Sequence, residues 1–173
     1  YANGLIGQSI KTKKKIPYNN NLLLLFKIFI AQLIQSKKKR NWTLYKSIGY
    51  HTFNLYAFAL LVKKFGSDNI WPENIIINAL DYAKSHEFDN QIEENQFGFP
   101  YNPPGFELPL ALIELEKDKN NVNHDHISKL ISRQLTMNFN FETNLMDKNN
   151  HDPATHTARF YEATRLPDLK LFI

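Results

Sequence analysis

Read for its apolar and polar positions, the chain falls into successive runs of helical period. Leu22 to Ile34, LLLLFKIFIAQLI, is apolar almost throughout, and Asn19 to Asn21 ahead of it offer N-cap residues, so a buried helix is expected there. A second helix is predicted from a cap at Asn41 to about Phe65, with Lys63 and Lys64 beside the negative end of its dipole and Gly66 at its C-terminus. Trp71-Pro72-Glu73 opens a third, in which Ile75, Ile76, Ala79, Leu80 and Ala83 recur at helical spacing before it stops near His86. The stretch NQFGFPYNPPGFELP, Asn95 to Pro109, is expected as a long aromatic loop, because Pro100, Pro103, Pro104 and Pro109 remove amide donors and restrict the residues before them.

A helix resumes with LALIELEK from Leu110, and the polar break KDKNNVNHDH precedes a short helix from Ile127 to Leu135. MNFNFETNLMDKNN alternates weakly and reads as a strand or an extended loop. Asp152 as N-cap and Pro153 at the first helical position then start a helix that runs to about Leu166, where Pro167 ends it. Residues 1–20 show no sustained period and read as loop and connector. No strand is needed anywhere, so the expected fold is all-α, a set of successive helical hairpins forming a single domain over residues 1–173. The absence of an initiator methionine, with the chain beginning at Tyr1 in sequence that reads as structured, points to a mature form or to the C-terminal portion of a longer polypeptide.

Charge and composition narrow the partners. The net charge of +4 gathers in Lys11 to Lys15 and Lys37 to Arg40, which read as solvated loops and as a surface that draws polyanions. No nucleic-acid motif accompanies them, so nucleic acid is not an expected partner. Leu22 to Ile34 is too short to span a bilayer and is interrupted by Lys27, so no membrane span is expected. With no cysteine there are no disulfides or thiolate ligands, and the compartment stays open. No glycine-rich phosphate loop or nucleophile elbow is present, and His124 and His126 stand in a polar turn without further ligands in sequence, so neither cofactor nor metal is expected.

Three features carry candidate chemistry. Ser47, His51, Asn54 and Phe58 step by four, three and four along an otherwise greasy helix, placing a polar row on one face. Such a row is either satisfied inside the core, with His51 bonded to a backbone carbonyl, or lines a wet pocket, because an unpaired buried polar group costs roughly 1–3 kcal/mol. At NHDPATHTARFYEATR, Asp152, His156 and Arg159 share one face of a helix start, where an imidazole held by a carboxylate and a guanidinium clamp fit proton transfer and binding of negative charge. The bland alternative is a cap with surface ion pairs. Finally, Trp71, Phe97, Phe99, Tyr101 and Phe106, set among Asn102 and Glu107, suit a saccharide, whose C–H faces pack on rings while its hydroxyls meet amides and carboxylates; plain packing is the competing reading.

From about Asn41 to Leu115 the sequence, with YKSIGYHTFNLYAFALL, a following Trp-Pro and the GFPYNPPGFELPLAL loop, resembles the helical hairpins of the α/α-toroid carbohydrate-active enzymes, the six-hairpin group of glycoside hydrolases, polysaccharide lyases and sugar epimerases. The resemblance implies the C-terminal part of such an enzyme acting on a poly- or oligosaccharide, since this chain holds about half the helices a full toroid needs. For a lyase it implies Tyr50 or His51 as acid or base and Asn54 or Arg159 against a substrate carboxylate; for an epimerase, His51 with His156. A glycoside hydrolase needs two carboxylates, for which Glu107 and Asp152 are the candidates. The expected catalytic set is therefore Tyr50, His51, His156 and Arg159, with Asn54, Trp71, Tyr101, Asn102, Glu107 and Asp152 binding a saccharide ligand of neutral or acidic type, and the missing N-terminal part of the same protein as a further partner. The rival from another class is a non-catalytic helical-hairpin module that binds a protein or polyanion through its basic loops.

Overall fold

The computed structural model describes residues 3–7, 37–66 and 73–173. The expected helix at Leu22 to Ile34, the Lys11 to Lys15 run and the Trp71-Pro72 opening, with Trp71 as a candidate ligand contact, lie outside the described residues. Among the described residues the fold is all-helical, as the periodicity requires. Seven α-helices follow in order: α1 Lys37–Gly49, α2 His51–Phe65, α3 Glu73–Ala83, α4 His86–Glu93, α5 Pro104–Leu115, α6 His124–Asn138 and α7 Pro153–Ala163, with a 3-10 turn at Lys119–Asn121. An isolated bridge between Asn140 and Leu145 closes a turn in place of the extended segment that the alternation after α6 suggests.

Four elements differ from the sequence expectation. The single helix over Asn41 to Phe65 is two, kinked at Tyr50 (φ −99°, ψ 4°), and Asn41 lies inside α1 instead of capping it. Gly49 explains the kink: the end of α1 runs so close to the following loop that a Cβ there would collide with the Cβ of Phe97 and come within 2.7 Å of the Asn95 amide. Helix α4 was hidden by its shortness. Ser85 caps it by accepting from the Phe88 N–H at 3.1 Å, and burial of Phe88 and Ile92 holds it down.

Helix α5 begins at Pro104, well before Leu110, and keeps Pro109 inside it. Proline at the first position forfeits only an amide that has no helical partner. An interior proline costs about 3 kcal/mol, but here all of residues 104–112 are buried, and their packing offsets it. Apolar almost all round, α5 is the central rod, packed first against α2, then α6, then α7. Its Phe106, Leu108, Ala111 and Leu112 meet Leu55 and Ala59 of α2, Leu80 of α3 and Ile127, Ile131 and Leu135 of α6 in the main core. A smaller core under α4 joins Leu5, Ile48, Tyr82, Phe88, Ile92 and Phe99.

The closest approach of α5 to α6 is at Gly105, whose N–H donates to Gln134 Oε1 at 2.9 Å and where a Cβ would sit 2.5 Å from both the Leu130 carbonyl and the Gln134 side chain. Gly105→Ala must force the two helices apart. We expect it to lower unfolding stability by roughly 1–3 kcal/mol, read as a shift in the urea midpoint at unchanged slope.

Candidate functional site

The site is built on a carboxyl group in the middle of the apolar rod. Glu107 of α5 is fully buried. Its Oε2 accepts from the Thr52 hydroxyl of α2 at 2.9 Å, and its Oε1 accepts from Arg159 Nε of α7 at 3.4 Å. Burial pushes the carboxyl up from 4.5 to about 7, against the pull of the Arg159 charge and the Thr52 and Arg159 hydrogen bonds toward the ionised form. The Arg159 guanidinium lies over the Tyr56 ring, 4.0 Å from its centroid, with Phe53 at 5.8 Å, and its Nη1 is 3.9 Å from Glu162 Oε2. Arg159 retains 17% side-chain exposure, so it is the cover between Glu107 and solvent.

Helix α7 is aimed by its first residues. The Asp152 carboxylate caps it, accepting from the Thr155 N–H at 3.0 Å and the Thr155 hydroxyl at 2.7 Å, and those bonds hold its pKa below the usual range. His156, one turn on and on the same face as Arg159, is fully buried against the Tyr101 backbone. Burial lowers it to about 4, opposed by the nearby Tyr101 backbone and by Asp152. Around Arg159 the Tyr56 hydroxyl and Glu162 Oε2 are buried without a hydrogen-bond partner.

The polar row of the kinked α1–α2 pair is mostly consumed inside the protein. The Ser47 hydroxyl donates to the Thr43 carbonyl at 2.8 Å. His51 is fully buried; its Nδ1 accepts from the Ile6 N–H at 3.2 Å and its Nε2 lies 2.9 Å from the Ala79 carbonyl, to which it donates. That tautomer ties the 3–7 segment to α2 and α3, and burial lowers the imidazole to about 4 against the Ala79 bond. Asn54 differs, since its amide nitrogen is buried without a partner.

In the 94–103 loop, Asn102 donates to the Gly49 carbonyl at 3.0 Å and the Phe97 carbonyl at 2.6 Å, which pins the loop to the kink. Tyr101 and Tyr50 stand with ring centroids 6.0 Å apart, and the Tyr50 phenol is pushed up to about 12 by burial and by the Tyr101 side chain. The structure thus gathers Glu107 and Arg159 directly, sets His156 and Asp152 on the same helix as Arg159, and places Tyr50 and Tyr101 together at the rim. It keeps His51 apart, on the side of α2 facing α3. Thr52, Tyr56 and Glu162 escape a reading of the sequence. Thr52 and Tyr56 are four apart on α2, a second polar stripe beside the expected one, and Glu162 is three past Arg159; those spacings were the available signals.

Among the described residues no cluster of three His, Asp or Glu is arranged to hold a metal ion, and no helix is long and apolar enough to cross a membrane. Over 128 residues, 74% of this chain, the sequence is 37% identical to archaeal glycosylation protein Q of Haloferax volcanii. The chain spans about a third of that relative, 33% of its length. No protein-family profile matches the chain, and no solved structure matches it. These findings overturn the resemblance to the α/α-toroid enzymes: the relative found carries another name, and nothing of toroid type is matched. What suggested a toroid between Asn41 and Leu115 was buried helices joined by an aromatic loop, a character that any tightly packed helical assembly shares.

The two buried histidines and Glu107 give opposite pH dependences. His51 and His156 sit near 4 in the fold against 6.5 ordinarily, so their contribution is complete above pH 6.5 and is lost as pH falls to 4. Glu107, raised from 4.5 to about 7, contributes fully below pH 4.5 and loses that contribution as pH rises through 7. In thermal melts from pH 4 to 8, Glu107→Gln should gain on the parent between pH 4.5 and 7, by roughly 3 kcal/mol at most. His156→Leu, which removes a ring that burial keeps neutral, should gain on the parent as pH falls from 6.5 toward 4.

Proposed function

We propose that this chain is the saccharide-acting part of a glycosylation protein, with Glu107 exchanging a proton with the sugar. The observation that carries the reading is a fully buried carboxyl held near neutrality, at about 7, between a hydroxyl and a guanidinium. A general acid or base works best when its pKa lies near the operating pH. Buried carboxyls with shifted pKa values and a specific charged partner gather at functional sites. The relative's name, archaeal glycosylation protein Q, supplies the carbohydrate context.

Arg159 is the group that meets the ligand. A sugar hydroxyl or carboxylate that draws the guanidinium outward uncovers Glu107, and Tyr56 beneath it keeps the guanidinium flat during that exchange. The chemistry that fits is cleavage of a glycosidic bond. Glu107 in its acid form protonates the departing oxygen as its bond to the anomeric carbon breaks, and Glu162, at the other end of the same guanidinium, takes a proton from the water whose oxygen bonds to that carbon. The Tyr56 hydroxyl, against the Arg159 guanidinium, offers a hydrogen bond to a ligand hydroxyl or to water held with it.

The complete polypeptide, incubated with neutral and uronic-acid oligosaccharides and assayed by mass spectrometry of products, tests this. Hydrolysis is expected, with a pH profile that falls above about 7 and with kcat lowered roughly a hundred- to ten-thousandfold in Glu107→Gln while binding persists. An unsaturated product would replace hydrolysis by elimination at the same site. Binding without turnover, or a Glu107→Gln protein as active as the parent, would leave only a saccharide-binding module.

A further inference from the structure

Away from Glu107, the outer side of α1 presents rings that the packing of the core does not use. Trp42 and Tyr45, one helical turn apart, lie nearly parallel with centroids 5.8 Å apart and planes at 26°, and Trp42 is 52% exposed. Phe97 from the loop stands edge-on to both, at 5.7 Å and 6.1 Å. Tyr50 continues the series, 5.7 Å from Phe97 and 6.0 Å from Phe53, and Phe53 lies 5.8 Å beneath the Arg159 guanidinium. The rings therefore run without a gap from the surface to the cover of Glu107.

We infer that Trp42, Tyr45, Phe97 and Tyr50 form an extended subsite for an oligosaccharide, carrying its further sugar residues while the reacting one meets Arg159. The inference rests on the reading of Glu107 above and adds that the substrate is longer than one sugar. Two properties point to a saccharide over an apolar protein partner. Lys46 stands among the rings, its ammonium 5.3 Å from the Tyr50 centroid and 5.8 Å from Phe97. Lysine is depleted at protein interfaces, whereas a sugar presents C–H faces to rings and a rim of hydroxyl or carboxylate oxygens to an ammonium. The strip is also fixed in advance: the Asn95 amide donates to the Tyr45 carbonyl at 2.8 Å, the Gln96 N–H donates to the Tyr45 hydroxyl at 2.7 Å, and Asn102 locks the loop to Gly49. Rings held in place lose little freedom on binding, which suits a weakly adhesive, hydrated ligand.

The test is calorimetric titration of the complete polypeptide, carrying Glu107→Gln so that binding is read alone, with gluco-oligosaccharides and oligouronates of one to four residues. Affinity should rise with length in at least one series. Trp42→Ala should weaken the longer members roughly three- to tenfold, leave the monosaccharide unchanged, and leave the unliganded melting temperature intact, with Trp42→Phe restoring most of the loss. Affinity independent of length in both series, or a Trp42→Ala loss equal for all lengths, overturns the subsite. So does a Trp42→Ala protein that binds normally but melts several degrees lower, which would make Trp42 a packing residue. Length dependence in a parent that never turns a sugar over would keep the strip and remove the role of Glu107. Turnover without length dependence would do the reverse.

Discussion

Burying the Glu107 carboxyl among three helices is the constraint to which the rest of this assembly answers. An ionised carboxylate without partners at that depth costs several kcal/mol, so α2 must deliver Thr52 and α7 must deliver Arg159 to the same place. Arg159 lies 52 residues from Glu107 in sequence, and its arrival depends on the Asp152 cap that starts α7 and on the Tyr56 ring that supports the guanidinium. Even so, the pairing leaves the carboxyl balanced between its two forms instead of firmly ionised. Structure alone would be better served by an apolar side chain, and that is what makes the group readable as chemistry.

How far this was legible in the sequence depends on whether the signal was local. Asp152-Pro153 announces α7 because capping and proline chemistry act over one turn, and the apolar period announces α6. The prolines of α5 misled for the same reason: local rules count the missing donors of Pro104 and Pro109, while the burial that outweighs them comes from α2 and α6. The kink at Tyr50 was invisible because its cause, the approach of Phe97 to Gly49, lies across the fold. Glu107 was named as a binding residue and Arg159 as a clamp, yet nothing in the spacing joined them. Thr52 was passed over beside the more conspicuous His51.

The two buried histidines show how similar residues divide between fold and site. His51 has both nitrogens matched, one by the Ile6 amide and one by the Ala79 carbonyl, which is how a core histidine is made affordable. His156, equally buried, lies instead against the Tyr101 backbone and near Asp152. It stands on the helix face of Arg159, close to which the Tyr56 hydroxyl and Glu162 Oε2 lie.

The histidine tie at the N-terminal segment also sets an operating range. The acid form of Glu107 is favoured below about pH 7, but the contribution of His51, which holds the core as a neutral ring, is lost progressively as pH falls from 6.5 to 4. A largely protonated carboxyl and an undiminished histidine contribution therefore coexist only between about pH 6.5 and 7. His51, which touches no part of the candidate site, thereby weakens the fold under the same acidic conditions that favour the protonated carboxyl.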